Sequence, residues 1–245
     1  MNRLLASLCC APALLLACVS ATAQILDAPP AINAAVKAMM PDTAPSWLKP
    51  APIAGMWEVA FGPNILYISE DGQHLLRGDI LKIDGFENVS RPARNRARLD
   101  VVDGMGQANL IVFTPKNFQH TVTVFTDVDC GYCAKLHNEM QTYLDAGIRI
   151  RYAAFPRAGI GSESYRKMVA VWCSDDQQTA ITMSKAGQSV APKTCPNPVA
   201  DQFEVGQLVG VRGTPSIVLE TGDLVPGYLP ASRLLQTILE AKTKG

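Results

Sequence analysis

Excess charge of either sign is missing from this chain. Its 22 Lys and Arg residues balance 22 Asp and Glu residues, so the formal net charge is zero over 245 residues. With no basic face standing out, nucleic acid is excluded as a partner. Histidine is scarce, with three residues scattered at 74, 120 and 137. No second Cys-x-x-Cys and no paired histidines accompany the one close cysteine pair, so a four-ligand zinc site cannot be assembled and no metal is expected. No apolar stretch beyond the start reaches the roughly 20 residues needed to cross a membrane.

The start itself is apolar. Met1-Asn2-Arg3 supplies one positive charge, residues 4–19 form an apolar run, and Ala21-Thr22-Ala23 closes it. This pattern predicts a secretory signal peptide over residues 1–23, cut after Ala23. Leu15-Leu16-Ala17-Cys18 offers the alternative of a lipoprotein cut that leaves Cys18 lipidated. Cutting after Ala23 removes Cys9, Cys10 and Cys18 and reduces seven cysteines to four. An even number in an oxidising compartment predicts disulfide chemistry, in the periplasm if the source has two membranes.

Two of those four are Cys130 and Cys133, with Gly131-Tyr132 between them. Val122, Val124 and Phe125 upstream read as a buried strand. Leu136, Met140, Tyr143 and Leu144 downstream have the spacing of one helix. The first thiol therefore falls at a helix N-terminus, where unpaired N–H groups and the helix dipole favour its anion. A structural disulfide is the other reading of such a pair. A redox dithiol fits better, with Cys130 the more exposed, attacking thiol and Cys133 resolving the mixed disulfide.

At the ordinary pKa near 8.5 only about 3% of a thiol is ionised at pH 7, and lowering it by two units raises that about 25-fold. Reduced nucleophilicity takes back about tenfold, so the larger benefit is in departure from a mixed disulfide. Asp129 is expected to oppose the shift by charge repulsion. Thr214-Pro215 opens a strand, where a proline needs no ladder donor. Cys173 and Cys195 stand 22 residues apart in a polar segment and read as a structural disulfide. His137 reads as a surface residue.

Along the chain, a helix over 27–40 capped by Asp27 and strands at 57–61, 66–68 and 75–83, with a turn at Asp71-Gly72, predict a small α+β domain over 24–85. Its edge strand 78–83 could pair with a second copy, because so small a unit has little core of its own. Residues 86–115 read as a linker helix whose Arg91, Arg94, Arg96 and Arg98 form a solvated face. The catalytic domain is expected over 116–245. Its order of β-α-β, a helical insert at about 162–205, then β-β-α is that of an α/β thioredoxin-like fold.

Several stretches also resemble one family. Phe125-Thr126-Asp127, Cys130-Gly131-Tyr132-Cys133, Ala154-Phe155-Pro156-Arg157, Trp172-Cys173, Gly213-Thr214-Pro215 and Leu224-Val225-Pro226-Gly227-Tyr228 are similar to the DsbC family of periplasmic disulfide isomerases. The resemblance implies a homodimer joined by cystatin-like N-terminal domains and isomerisation of wrong disulfides in misfolded proteins through Cys130 and Cys133, with chaperone activity. It implies that Thr214, a cis Pro215 and Tyr132 meet the substrate, that a DsbD-like membrane reductase keeps the dithiol reduced, and that no cofactor is needed. The alternative is a DsbG-like reductase and holdase, against which the Gly-Tyr spacer argues.

Overall fold

The computed structural model describes residues 28–243. The expected signal peptide, the Cys18 alternative and the Asp27 cap lie outside the described residues. Helix α1 (Pro30–Met39) begins with proline in its first turn, where the missing N–H costs nothing. It buries Ile32 and Val36 against a four-stranded antiparallel sheet of order β1-β2-β3-β4, comprising Trp47–Pro50, Met56–Phe61, Asn64–Ser69 and Leu75–Leu76. The expected turn sits between β3 and β4, with Gly72 at φ +71° and its Cβ position closed off by the Ala31 backbone.

The segment 75–83, expected as one strand, is two. Leu75–Leu76 pairs with β3, whereas β5 (Leu81–Lys82) turns away to pair with β6 (Glu87–Asn88). Gly78 and Asp79 separate the two pairings, and Asp79 is drawn instead to Asn88 and Arg94.

Helix α2 (Arg91–Gly104) occupies the expected linker, but its arginines are not a solvated face. Arg98 is buried and donates to the carbonyls of Val209 and Gly222. Arg91 and Asn95 both donate to Asp223 Oδ1 at 2.8 Å. These side chains satisfy carbonyls and a carboxylate that the following fold leaves facing the helix. Only Arg96 of the four is exposed.

The second sheet has order β11-β10-β8-β9-β7. Strand β7 (Ile111–Phe113) falls within the expected linker yet pairs antiparallel with β9 (Ile148–Ala154). Central strand β8 (His120–Thr126) runs parallel to β9, from His120 opposite Ile148 to Thr126 opposite Ala154. Between them lie α3 (Gly131–Asn138) and α4 (Met140–Asp145), expected as one helix but broken at Glu139, whose φ of −96° and ψ of 13° leave the helical region. The crossover still lays Leu136, Met140 and Tyr143 into the main core.

Helices α5 (Glu163–Trp172), α6 (Gln177–Lys185) and α7 (Val199–Leu208) form the insert. Ser162 and Asp176 cap the first two by accepting from Tyr165 N and Thr179 N. Strands β10 (Ser216–Val218) and β11 (Leu224–Pro226) make the hairpin, and α8 (Ala231–Thr243) closes the layer with Leu234 and Ile238 inside.

Candidate active site

Strand β8 ends at Thr126, and the chain crosses Asp127, Val128 and Asp129 before Cys130 caps α3 in extended conformation. A strand-to-helix turn this short needs its own hydrogen bonds. Asp127 Oδ1 accepts from Asp129 N at 2.9 Å and from the Ser164 hydroxyl at 2.6 Å. Asp127 Oδ2 accepts from Arg157 N and Arg157 Nε. Burial alone would push this carboxyl up, but these donors outweigh it and hold it below the usual carboxylate range.

Cys130 and Cys133 are both free thiols. The expectation of an exposed Cys130 is corrected in degree: it is 4% exposed, against 1% for Cys133. The Thr214–Pro215 peptide bond is cis and lies over the thiol, with the Cys130 Sγ donating to the Thr214 carbonyl at 3.2 Å. A cleft of about 340 Å³ passes Arg212, Thr214, Pro215 and Leu224.

The two thiols are driven apart. For Cys130, burial opposes ionisation, but the Thr214 side chain, the Cys133 backbone and thiol, and the Arg157 guanidinium outweigh it and bring the thiol below its ordinary value. The Thr214 hydroxyl is buried with no hydrogen-bond partner of its own, which leaves it free to donate to a sulfur anion. For Cys133, burial dominates and pushes the thiol up. Asp129 does not set this balance, since its carboxylate is taken by Lys167 Nζ at 3.1 and 3.3 Å.

Tyr132 is exposed and its ring lies 6.5 Å from that of Tyr228, tilted by 25°. Lys135 Nζ sits 4.7 Å from the same Tyr228 ring. The Tyr228 hydroxyl donates to Glu139 at 2.5 Å, and burial together with that carboxylate pushes Tyr228 up to about 12. Cys173 and Cys195 form a disulfide that ties the end of α5 to the loop before α7, within the insert.

Three residues at the site were not anticipated. His137 is buried, not a surface residue, with its ring nitrogens against the Tyr152 hydroxyl at 3.2 Å and the Thr182 hydroxyl at 2.9 Å. Burial and the nearby Lys185 lower it to about 4. Arg157 anchors Asp127, and Lys185 is 5% exposed on the last turn of α6. Helical spacing indicates which faces are alike but not which face β9 and α6 will cover.

The thioredoxin-like domain family matches residues 107–242, and the disulfide bond isomerase protein N-terminal domain matches residues 21–91. The thiol:disulfide interchange protein DsbC of Escherichia coli K12 is 39% identical over 193 residues, covering 79% of this chain and 80% of that protein. The protein of the same name from Dickeya dadantii is 40% identical over 190 residues, covering 77% and 78%. A solved disulfide interchange protein from Neisseria gonorrhoeae is 28% identical at a TM-score of 0.50, over 56% of this chain and 98% of that one. A Proteus mirabilis ScsC variant, 16% identical with a TM-score of 0.51, covers 64% and 86% and is a likeness of fold.

Proposed function

We propose, for a chain that belongs to the DsbC family of thiol:disulfide interchange proteins, that Cys130 opens wrong disulfides in secreted proteins and Cys133 resolves the mixed disulfide. The observation that carries this reading is the depressed Cys130 thiol at the start of α3, packed under the Thr214 carbonyl with Cys133 sealed one turn below. The Cys130 thiolate attacks one substrate sulfur and expels the other as a thiolate, which takes up a proton. A different thiolate of the substrate can attack the substrate sulfur of the mixed disulfide and release Cys130 unchanged, which is isomerisation, whereas return of the expelled thiolate only restores the original bond. Alternatively, Cys133 attacks Cys130 Sγ, and the substrate leaves reduced by two electrons.

The second outcome leaves a Cys130–Cys133 disulfide, and a DsbD-like membrane thiol reductase is the partner proposed to reduce it. Thr214, Pro215 and Tyr132 line the approach and are proposed to hold an extended substrate chain. The N-terminal domain exposes Leu75, Leu76, Leu81, Ile83 and Phe86, which supports a homodimer joined there. The proposed divisions are an N-terminal domain over 24–88, which keeps the β5–β6 hairpin whole, a linker helix α2, and a catalytic domain from about 107 onward, which includes β7; the periplasm is the proposed compartment. Chaperone activity would appear as suppressed aggregation that survives loss of both thiols.

The test is refolding of a scrambled multi-disulfide protein. Cys130→Ala should abolish the rearrangement, and full activity in that variant would remove the reading. The in-cell state of Cys130 and Cys133 then separates isomerase from oxidant: mainly dithiol supports the first, mainly disulfide the second.

A further inference from the structure

The site holds a buried amine that the thiol chemistry above does not use. Lys185 Nζ donates to the Thr126 hydroxyl at 2.7 Å and to the Asp127 carbonyl at 3.4 Å, and lies 5.4 Å from the centre of the Tyr152 ring. Both hydrogen-bond partners are uncharged. A buried ammonium without a directly paired carboxylate is costly, and burial accordingly lowers the Lys185 pKa. Burial raises Cys133 at the same time, while the Lys185 charge and the Thr126 hydroxyl favour its thiolate. A thiol pushed up and an amine pushed down approach one another, and a proton moves most readily between groups so matched.

Resolution of the mixed disulfide requires Cys133 to lose a proton inside a closed site, so a base must be within reach. Four titratable candidates lie close by. Asp127 is held ionised by the donors of Arg157, Ser164 and Asp129, which makes it a poor base. His137, one turn along α3, has both ring nitrogens against the Tyr152 and Thr182 hydroxyls and an affinity for protons near pH 4. Tyr152 is fully buried and raised well above its ordinary value. Lys185 is the remaining group: its Nζ donates to the Thr126 hydroxyl at 2.7 Å, and both that hydroxyl and the Lys185 charge favour the Cys133 thiolate.

Resting on the dithiol reading above, we propose that Lys185 is the internal base for Cys133, acting through the Thr126 hydroxyl. With Lys185 neutral, the Cys133 proton passes to Thr126 Oγ1 as the Thr126 proton passes to Lys185 Nζ. The products are a Cys133 thiolate and a Lys185 ammonium, with the hydroxyl reversed in direction and net charge conserved. The thiolate attacks Cys130 Sγ, the Cys130–substrate bond breaks, and the electron pair leaves on the substrate sulfur. Lys185 then gives its proton to solvent or to the departing thiolate. Cys130, Cys133, Asp127, His137 and Tyr152 are the titratable groups facing Lys185, so the profile belongs to the cluster, with Lys185 as its proton store.

The experiment is single-turnover reduction of a fluorogenic disulfide by the full reduced protein, followed from pH 5 to 10. The first phase reports attack by Cys130, the second reports release by Cys133, and their ratio is the readout. Lys185→Met should lower the ratio about tenfold or more at pH 7. The deficit should close by up to tenfold per pH unit as Cys133 ionises unaided. Thr126→Val, nearly isosteric, should give the same profile and serves as the readout if Lys185→Met does not fold. A parental ratio and profile in the folded variants overturns the proposal. So does a deficit that persists unchanged to pH 10, which marks a structural role. Failure of the dithiol reading looks different: both phases then survive Cys130→Ala.

Discussion

At the scale of single residues, His137 ties the stability of this protein to acid. Its ring is closed in by Phe113 and Tyr152 and held by two hydroxyls, and it is lowered from 6.5 to about 4. In the unfolded chain it takes a proton near pH 6.5, whereas the folded chain resists until about pH 4. The unfolded state therefore binds more protons in this window, and stability must rise with pH across it. The contribution is complete above about pH 6.5 and falls progressively towards pH 4, by on the order of 3 kcal/mol at most for a shift of this size. Urea denaturation at fixed pH steps should show this fall in the parent protein. His137→Gln should flatten the slope between pH 6.5 and 4 even if its stability at pH 7.5 is lower. Asp127 acts in the same direction further down, since a depressed carboxyl contributes above its unfolded pKa and loses that contribution as pH falls through the folded one.

At the scale of elements, α7 shows packing overriding propensity. Gly206 sits inside this helix, where alanine would ordinarily gain about 1 kcal/mol. A Cβ there would meet Phe155 Cε2 at 2.8 Å and Phe125 Cδ1 at 3.1 Å, and both rings are buried, Phe125 on β8 and Phe155 just past the end of β9. Gly206→Ala is thus expected to destabilise by about 1–3 kcal/mol, measured by urea midpoint, because overpacking wins. The Cys173–Cys195 bond closes a 22-residue separation around α6. On the chain-entropy account its removal by Cys173→Ala with Cys195→Ala should cost about 3 kcal/mol in the same measurement. What could be read directly from the chain follows the same division between local and distant. Strands β8 and β9 and the start of α3 are written in β-branched runs and a helical repeat. Edge strand β1 is hidden because Pro45, Pro50 and Pro52 break any strand pattern around it, yet an edge tolerates proline at its end. Strand β7 is three residues long and declares itself only by pairing with β9. Cys130 and Cys133 were legible as a dithiol from their spacing, whereas Thr214 and Pro215 joined them only through the resemblance to a known family. Lys185 and His137 were not legible, because a lysine ending a polar helix looks solvated until another layer is laid over it.

For the molecule as a whole, the N-terminal domain is the part least able to stand alone. Its cores gather around Ile32, Val36, Val59 and Ile68 on one side and around Ala60, Ile65 and Tyr67 on the other. Beyond them Ile83 and Phe86 are 87% and 78% exposed, next to Leu81 on a two-residue strand. Scattered exposed apolar residues are ordinary, but these are close in sequence around one hairpin and stay uncovered among the described residues. A second copy related by a twofold axis would present the same residues in return, which is the self-complementary interface a homodimer requires. Replacing both by aspartate removes two apolar side chains per copy and four per dimer. At about 1.5 kcal/mol each this is on the order of 6 kcal/mol, or roughly 10⁴-fold in dimer affinity. Ile83→Asp with Phe86→Asp should therefore sediment as a monomer at micromolar concentration, while the parent sediments as a dimer. The dithiol lies on the other sheet, so alkylation of Cys130 should keep its parental pH profile in the monomer. Refolding of a scrambled substrate should fall, because one copy offers one dithiol where a dimer offers two. A parent that sediments as a monomer, or a double variant that remains dimeric, would place the interface elsewhere.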